Sequence, residues 1–273
     1  MFQAPVRKNN IGTAVSLVEL IYHGTVRQLR KSHGNAVVGL LMNIVQSVIF
    51  VLGFFVMFAV LGIRGSALRG DFVLYLMSGV FLFMTHTKAM GAVAGSEGPA
   101  SAMMQHSPMN TAIAIMSAAF ASLYIQLLSV IVILFAYHSL WTPITIDDPV
   151  AALGILLLAW FTGVSVGLVF LALKPWYPGF VGIATTVYSR ANMIASGKMF
   201  VANTLPPAML AMFDWNPLFH CIDQMRGVVF INYSPHNSSI EYPIYVCLAL
   251  VMIGLMGEFY TRKNASASWG ARR

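Results

Sequence analysis

Long apolar runs separated by short polar stretches dominate the chain, and their lengths assign its elements. A helix needs about 20 mostly apolar residues to cross a bilayer. Residues 37–61, 112–137 and 150–173 supply them without a single charge. Residues 72–90 qualify too, provided that Lys88 snorkels its ammonium to the interface. A last run, 244–259, spans if its helix starts near Ile240, giving a span over about 240–259.

Residues 11–31 follow a different rhythm. Ile11, Ala14, Val15, Val18, Tyr22, Val26 and Leu29 recur at three- and four-residue steps, with Ser16, Glu19, His23, Arg27 and Arg30 on another face. This predicts an amphipathic helix in the membrane interface, with Arg27, Arg30 and Lys31 directed toward lipid phosphates. A solvent-facing helix is the alternative.

Residues 179–230 fail the simple test. They begin as a helix, but Arg190, Asn192, Ser196 and Lys198 interrupt it, and Pro206-Pro207 and Asn216-Pro217 break the stretch beyond it. Broken helices persist at membrane depth only where protein or water satisfies their backbone. The expectation is a fifth span over 179–198, then short re-entrant helices over about 204–230, at 204–213 and 217–230. The predicted fold is an all-α polytopic membrane protein of six transmembrane helices, residues 1–273 forming one membrane domain.

Six spans put both termini on one side. Arg7, Lys8, Arg27, Arg30, Lys31, Lys88, Lys174, Arg262, Lys263, Arg272 and Arg273 then face one compartment, against Arg64, Arg69, Lys198 and Arg226, an asymmetry of 11 to 4. Positive residues collect on the cytoplasmic side, so both termini are expected there. A five-span reading would place the basic C-terminal tail outside and weaken the bias.

Composition strengthens this picture: 58% of residues are hydrophobic and 9% charged, against roughly 25% charged in soluble domains. The net charge of +7 is accounted for by topology, so no nucleic-acid partner is expected. Cys221 and Cys247 have neither CxxC nor Cys/His spacing, which points to packing residues and no metal site. The start of the chain has no apolar core with a small-residue cleavage site, so no cleaved signal peptide is expected.

Candidate chemistry is sparse. The one Gly-Lys pair, Gly197-Lys198, lacks Walker A spacing, so ATP hydrolysis would have to come from a partner. Ser196 with His86, His106 or His220 is the arrangement to weigh for hydrolysis, but GxSxG and HExxH are absent and the topology separates His86 and His106 from Ser196. No catalytic residue and no cofactor in this chain are expected.

Arg190 and Lys198, eight residues apart on one helix, would stand ~12 Å apart along its axis. Two readings fit: a face that steers anions, or Lys198 ending the span while Arg190 pairs locally. Asp223 and Arg226, at i,i+3, predict an ion pair. Phe50, Phe54, Phe55 and Phe58 form a stripe suited to lipid or helix packing, or to stacking on a sugar. In the loop after the second span, Glu97, Pro99, Met103, Met104, Gln105 and His106 fit a short helix that docks a partner, or a plain connector.

Together these pieces resemble the permease subunits of type-2 ABC exporters, specifically those for capsular and related cell-surface polysaccharides. The resemblance covers essentially the whole chain. VRQLRKSHGNAVVGLLMNIVQSVIFVLGFFVMF is similar to the family's basic amphipathic helix running through a Gly into the first span. IASGKMFVANTLPPAMLAMFDWNPLFHCIDQMRGVVF is similar in its Ser-Gly, its Pro-containing outer loop, its Trp-Asn-Pro-Leu turn and the Arg beyond that turn.

The resemblance implies a homodimer in the bacterial inner membrane, with two cytoplasmic ABC ATPase subunits docking around Glu97–His106 and Mg-ATP held by those partners. Periplasmic or outer-membrane export components, membrane lipids and a polysaccharide are the other implied partners. The expected cargo is an acidic, lipid-linked polysaccharide passing Arg190, Lys198, Trp215, Phe54, Phe58 and Tyr188. O-antigen, teichoic acid or a small amphiphile would suit the same architecture; a non-transporting scaffold is the rival. Asp223, where related sequences often carry Glu, and Lys198, where they carry an apolar residue, depart from the pattern.

Overall fold

The computed structural model describes residues 10–33, 36–60, 62, 70–98 and 110–264. Among them the helices are α1 Asn10–His33, α2 Ala36–Val60, α3 Phe72–Ala94, α4 Thr111–Leu140, α5 Pro149–Leu173, α6 Pro178–Ala195, α7 Pro207–Leu210, α8 Pro217–Val229 and α9 Glu241–Asn264, with a 3-10 turn at Ala202–Thr204. Five, α2, α3, α4, α5 and α9, are long and apolar enough to cross a membrane. The chain is therefore an all-α protein embedded in a membrane by several passes. Pro99, Met103, Met104, Gln105 and His106 lie outside the described residues, as do Arg7, Lys8, Arg64, Arg69, Arg272 and Arg273.

The helix starts arise from short polar side chains. Asp71 accepts from the amides of Val73 and Leu74, Asn110 from Ala112, and Asp148 from Val150 and Ala151 with Pro149 at the first helical position. The end of α3 departs from expectation. It runs on to Ala94, four residues past the expected end, and Lys88 Nζ donates to Gln46 Oε1 on α2.

Contacts between helix ends give the bundle two poles. At one pole the Tyr137 hydroxyl at the end of α4 donates to Asp71 before α3, and the Asp148 amide before α5 donates to the Val228 carbonyl of α8, at 2.6 and 3.0 Å. At the other, Lys174 Nζ after α5 reaches the Ala94 carbonyl of α3, Thr111 Oγ1 at the start of α4 donates to Glu258 of α9, and Trp176 Nε1 donates to Thr261 Oγ1. Helix α5 ends at this second pole, and α9, which begins beyond α8, ends there too. The segment between them, α6 to α8, thus carries the chain back across the bundle.

Helix α3 lies at the centre and packs most extensively on α5. Gly163 and Gly167, four residues apart, make the close approach: a Cβ at Gly163 would fall 2.2 Å from the His86 carbonyl oxygen, and one at Gly167 2.7 Å from that of Met90. Small residues at this spacing let helix backbones pack closely in lipid, where burial of apolar surface drives little association.

Helix α1 packs on α4 and α2. Gly24 abuts Ser117, whose hydroxyl donates to the Ile21 carbonyl at 3.2 Å. Val15, Val18 and Tyr22 remain exposed on another sector, and the basic side forms a third. That division suits a helix touching protein, lipid and headgroups at once. Arg27 and Arg30 belong to the exposed basic sector; the Lys31 side chain lies outside the described residues.

Candidate intramembrane cationic site

The broken segment carries the site. Helix α6 is 18 residues long, about 27 Å at 1.5 Å per residue. It stops at Ser196 because Gly197 takes a positive φ of 74°, a helix-ending conformation open to glycine. Lys198 therefore lies beyond the helix, and the expectation of Arg190 and Lys198 on one helical face is corrected. A Cβ at Gly79 would come within 2.8 Å of the Lys198 Cβ, so the loop presses against the middle of α3.

A non-helical loop inside the bundle needs partners for its carbonyls. Arg226 supplies them: Nη1 donates to the carbonyls of Gly197 and Phe200 at 3.1 and 2.5 Å, and Nη2 to that of Lys198 at 2.8 Å. Its guanidinium also lies 4.3 Å from the Tyr75 ring centroid. This overturns the expected Asp223–Arg226 ion pair. The spacing permitted it, but the fork of Arg226 is taken by the loop, while the Asp223 carboxylate accepts from the hydroxyls of Tyr233 and Ser238.

Lys198 is 2% exposed and its Nζ has no hydrogen-bond partner. The ammonium sits in an aromatic cage instead, 3.5 Å from the centroid of Phe83, 5.1 Å from Phe54 and 5.6 Å from Phe50. Phe50 stacks on Phe83 at 5.9 Å and tilts against Phe54 at 5.5 Å, which holds the three rings together. Desolvating an ammonium costs several kcal/mol, and cation–π contact returns about 2 kcal/mol at a desolvated site. The cage offsets only part of the cost.

Two of the cage rings, Phe50 and Phe83, also form a wall of an open groove of about 510 Å³ between α2, α3 and α6. Arg190 is exposed there, facing Lys88 and Gln46 across hydroxyls from Thr87, Thr185, Thr186 and Ser189. No carboxylate lines the groove among the described residues. Each of the four hydroxyls donates its hydrogen to a carbonyl of its own helix, so the charged donors of the groove are the two cations, which suit an acidic cargo, while the hydroxyl oxygens are left to accept from a hydroxylated one.

The other expected path residues lie apart from the cage. Phe58 meets Phe72 edge-on at 5.6 Å. Tyr188 turns into the core, its hydroxyl 3.1 Å from His86 Nε2. Trp215 is exposed in the turn before α8, donating from Nε1 to the Met212 carbonyl. Glu97 lies just past the end of α3 at the pole that holds Lys174 and Thr261.

No protein-family model matches the chain, and no curated protein matches it in sequence. Its chemistry therefore stands on the side chains. His86 is engaged at both nitrogens: Nδ1 lies 2.8 Å from Thr162 Oγ1, which itself donates to the Ala159 carbonyl, so Nδ1 carries the proton and Nε2 accepts from Tyr188. His220 is similarly held by the Asp214 carbonyl and the Ser239 amide. Ser196 Oγ is buried without a partner. Among the described residues no cluster of His, Cys, Asp or Glu could hold a metal ion, and Cys221 and Cys247 are both buried free thiols.

The sequence reading missed Phe83, Gln46 and Lys88 as site residues. One signal for Gln46 was available: Gln46, Phe50 and Phe54 are four residues apart on one face of α2. Lys88 stood out as the only charge in its span and was assigned to snorkelling instead.

Proposed function

We propose that this chain is the membrane subunit of an ATP-driven exporter that moves an acidic, lipid-linked cell-surface polysaccharide out of the bacterial cytoplasm. The observation that carries the reading is the caged, unpartnered Lys198 beside a groove bearing Arg190 and Lys88 and lined by no carboxylate among the described residues. A buried cation with no counter-ion is costly to keep, and an anionic cargo is the counter-ion that would repay it.

In this reading α6 is the fifth of six crossings, and α7 and α8 re-enter from the outer face. The return of the chain across the bundle between α5 and α9 supports it. Both termini face the cytoplasm of the inner membrane, in keeping with the 11-to-4 bias of basic residues. A second copy of the chain completes the passage, and two ATPase subunits dock near Glu97 and hold Mg-ATP. The resemblance to type-2 exporter permeases supplies these partners.

The test is export in cells lacking the native gene and complemented with variants. Lys198→Met and Arg190→Gln should each reduce surface polymer at unchanged membrane level, leaving polymer inside. Normal surface polymer with both substitutions combined would overturn the proposal.

A further inference from the structure

Adjoining the cationic groove, with Gln46, Phe50 and Lys88 lining both, lies a second cavity, of about 750 Å³, bounded by α1, α2, α3 and α4. Its floor is polar within otherwise apolar spans. Asn43 of α2 is buried there and donates both hydrogens of Nδ2 across to α4, to Gln126 Oε1 at 2.7 Å and Ser129 Oγ at 2.8 Å. This orients the Gln126 amide, because its oxygen must face Asn43. Its nitrogen is then left over: Gln126 is 2% exposed, lines the cavity, and Nε2 has no hydrogen-bond partner.

Lys88 lines the same cavity, and Gln46 Oε1 holds its ammonium there with only one of three N–H donors bonded. Gln28 of the interfacial helix adds a further amide, and no carboxylate lines the cavity among the described residues. The unspent donors thus outnumber the unspent acceptors, and one is cationic. Beside them Met42 and Ile49 leave most of their apolar surface uncovered. An oxyanion on an apolar tail matches both halves.

We propose that this cavity binds the headgroup of an anionic glycerophospholipid, its phosphate taken by Lys88 Nζ and Gln126 Nε2 and its acyl chains lying along Met42 and Ile49. A free phosphate would satisfy the donors and leave the apolar wall bare, so the occupant comes from the bilayer. The lipid would fasten α1 to α2 and α4 from the leaflet in which α1 lies. The site stands whether or not the chain exports a polymer.

The experiment is native mass spectrometry of the full chain released from vesicles of equal phosphatidylglycerol and phosphatidylcholine. Wild type should retain phosphatidylglycerol in preference to phosphatidylcholine. Lys88→Met should lower that retention by about tenfold, the worth of one charge-assisted hydrogen bond. Gln126→Glu, which keeps an oxygen for Asn43 and replaces the donor by an anion, should lower it at least as far. Inorganic phosphate, added alone, should not displace the lipid.

Equal retention of the two lipids by wild type overturns the site without recourse to a variant. So does unchanged retention in both variants, and displacement by phosphate overturns the bilayer as the source. None of these readouts depends on export, so failure here is distinct from failure of the transport reading.

Discussion

Replacing Arg226 with Met should destabilise the protein by about 3–4 kcal/mol, because the loop carbonyls that its guanidinium bonds are left without a donor. The substitution keeps the volume and deletes the fork that closes the Ser196–Phe200 loop. Gly197 O keeps a second donor, the Phe200 amide at 3.3 Å. The carbonyls of Lys198 and Phe200 keep none that the structure provides. Two orphaned buried carbonyls cost about 2–6 kcal/mol together, at roughly 1–3 each. Loss of the cation–π contact with Tyr75 adds about 1–2 kcal/mol. Against this, Arg226 Nε is itself buried without a partner, and its removal returns about 1–3 kcal/mol.

At roughly 2–4 °C per kcal/mol for a chain of this size, the expected fall in Tm is about 10 °C. The two cysteines provide the assay, since both thiols are free and buried, Cys221 on α8 itself and Cys247 on α9. A thiol-reactive fluorophore reads their exposure as detergent-solubilised protein is heated. Arg226→Lys should fall between wild type and Met, because a compact ammonium cannot span three carbonyls as the planar fork does. A melting curve for Arg226→Met within about 2 °C of wild type would refute the argument that the loop depends on this clamp.

Lys198→Met should act in the opposite sense on stability, raising Tm in the same assay, since replacing a buried ion by an apolar side chain is neutral or stabilising by about 1–4 kcal/mol; a clear fall in Tm would show that the caged ammonium holds the fold together. Gly163→Leu should prevent α3 and α5 from closing, because even a Cβ there meets the His86 backbone; loss of monodisperse protein on size exclusion is the expected result, with Gly12→Ala, in open space, as the control. Burial, then the neighbouring Asp223 carboxylate, pushes the Tyr233 phenol above its ordinary value. The protonated form is thus favoured in the fold, so its stabilisation is complete below the unfolded tyrosine value of ~10 and is lost as pH rises through the higher folded value. Melting followed from pH 8 to 11 should decline only at the alkaline end, and Tyr233→Phe should remove that part of the decline.

The spanning helices were legible because lipid imposes a length and a composition that no other solvent demands. Their starts were written at Asp71, Asn110 and Asp148, whose side chains cap within two or three residues of themselves. The end of α3 lies four residues past the expected one, and no local pattern announces the tie of Lys88 to Gln46, 42 residues earlier in the chain. Helix contacts were hidden for a related reason. The pair Gly163 and Gly167 has the spacing of a close contact, but only the fold shows which backbone it admits.

The polar side chains of the site divide along the same line. Asp223 and Arg226 obeyed local spacing and were assigned to each other, yet each is satisfied from outside its own helix, by Tyr233 and Ser238 in one case and by the loop before α7 in the other. Lys198 was placed at the outer interface because water is where a lone lysine ordinarily ends. Its burial depends on rings from α2 and α3, which converge only after the bundle has closed. A break in hydrophobic pattern therefore located the site, while the roles of its residues were set by partners that no local pattern names. The same separation explains why the buried Asn43 and Gln126 escaped notice: each is a single amide in an apolar span, and the unspent donor appears only when the two are set side by side.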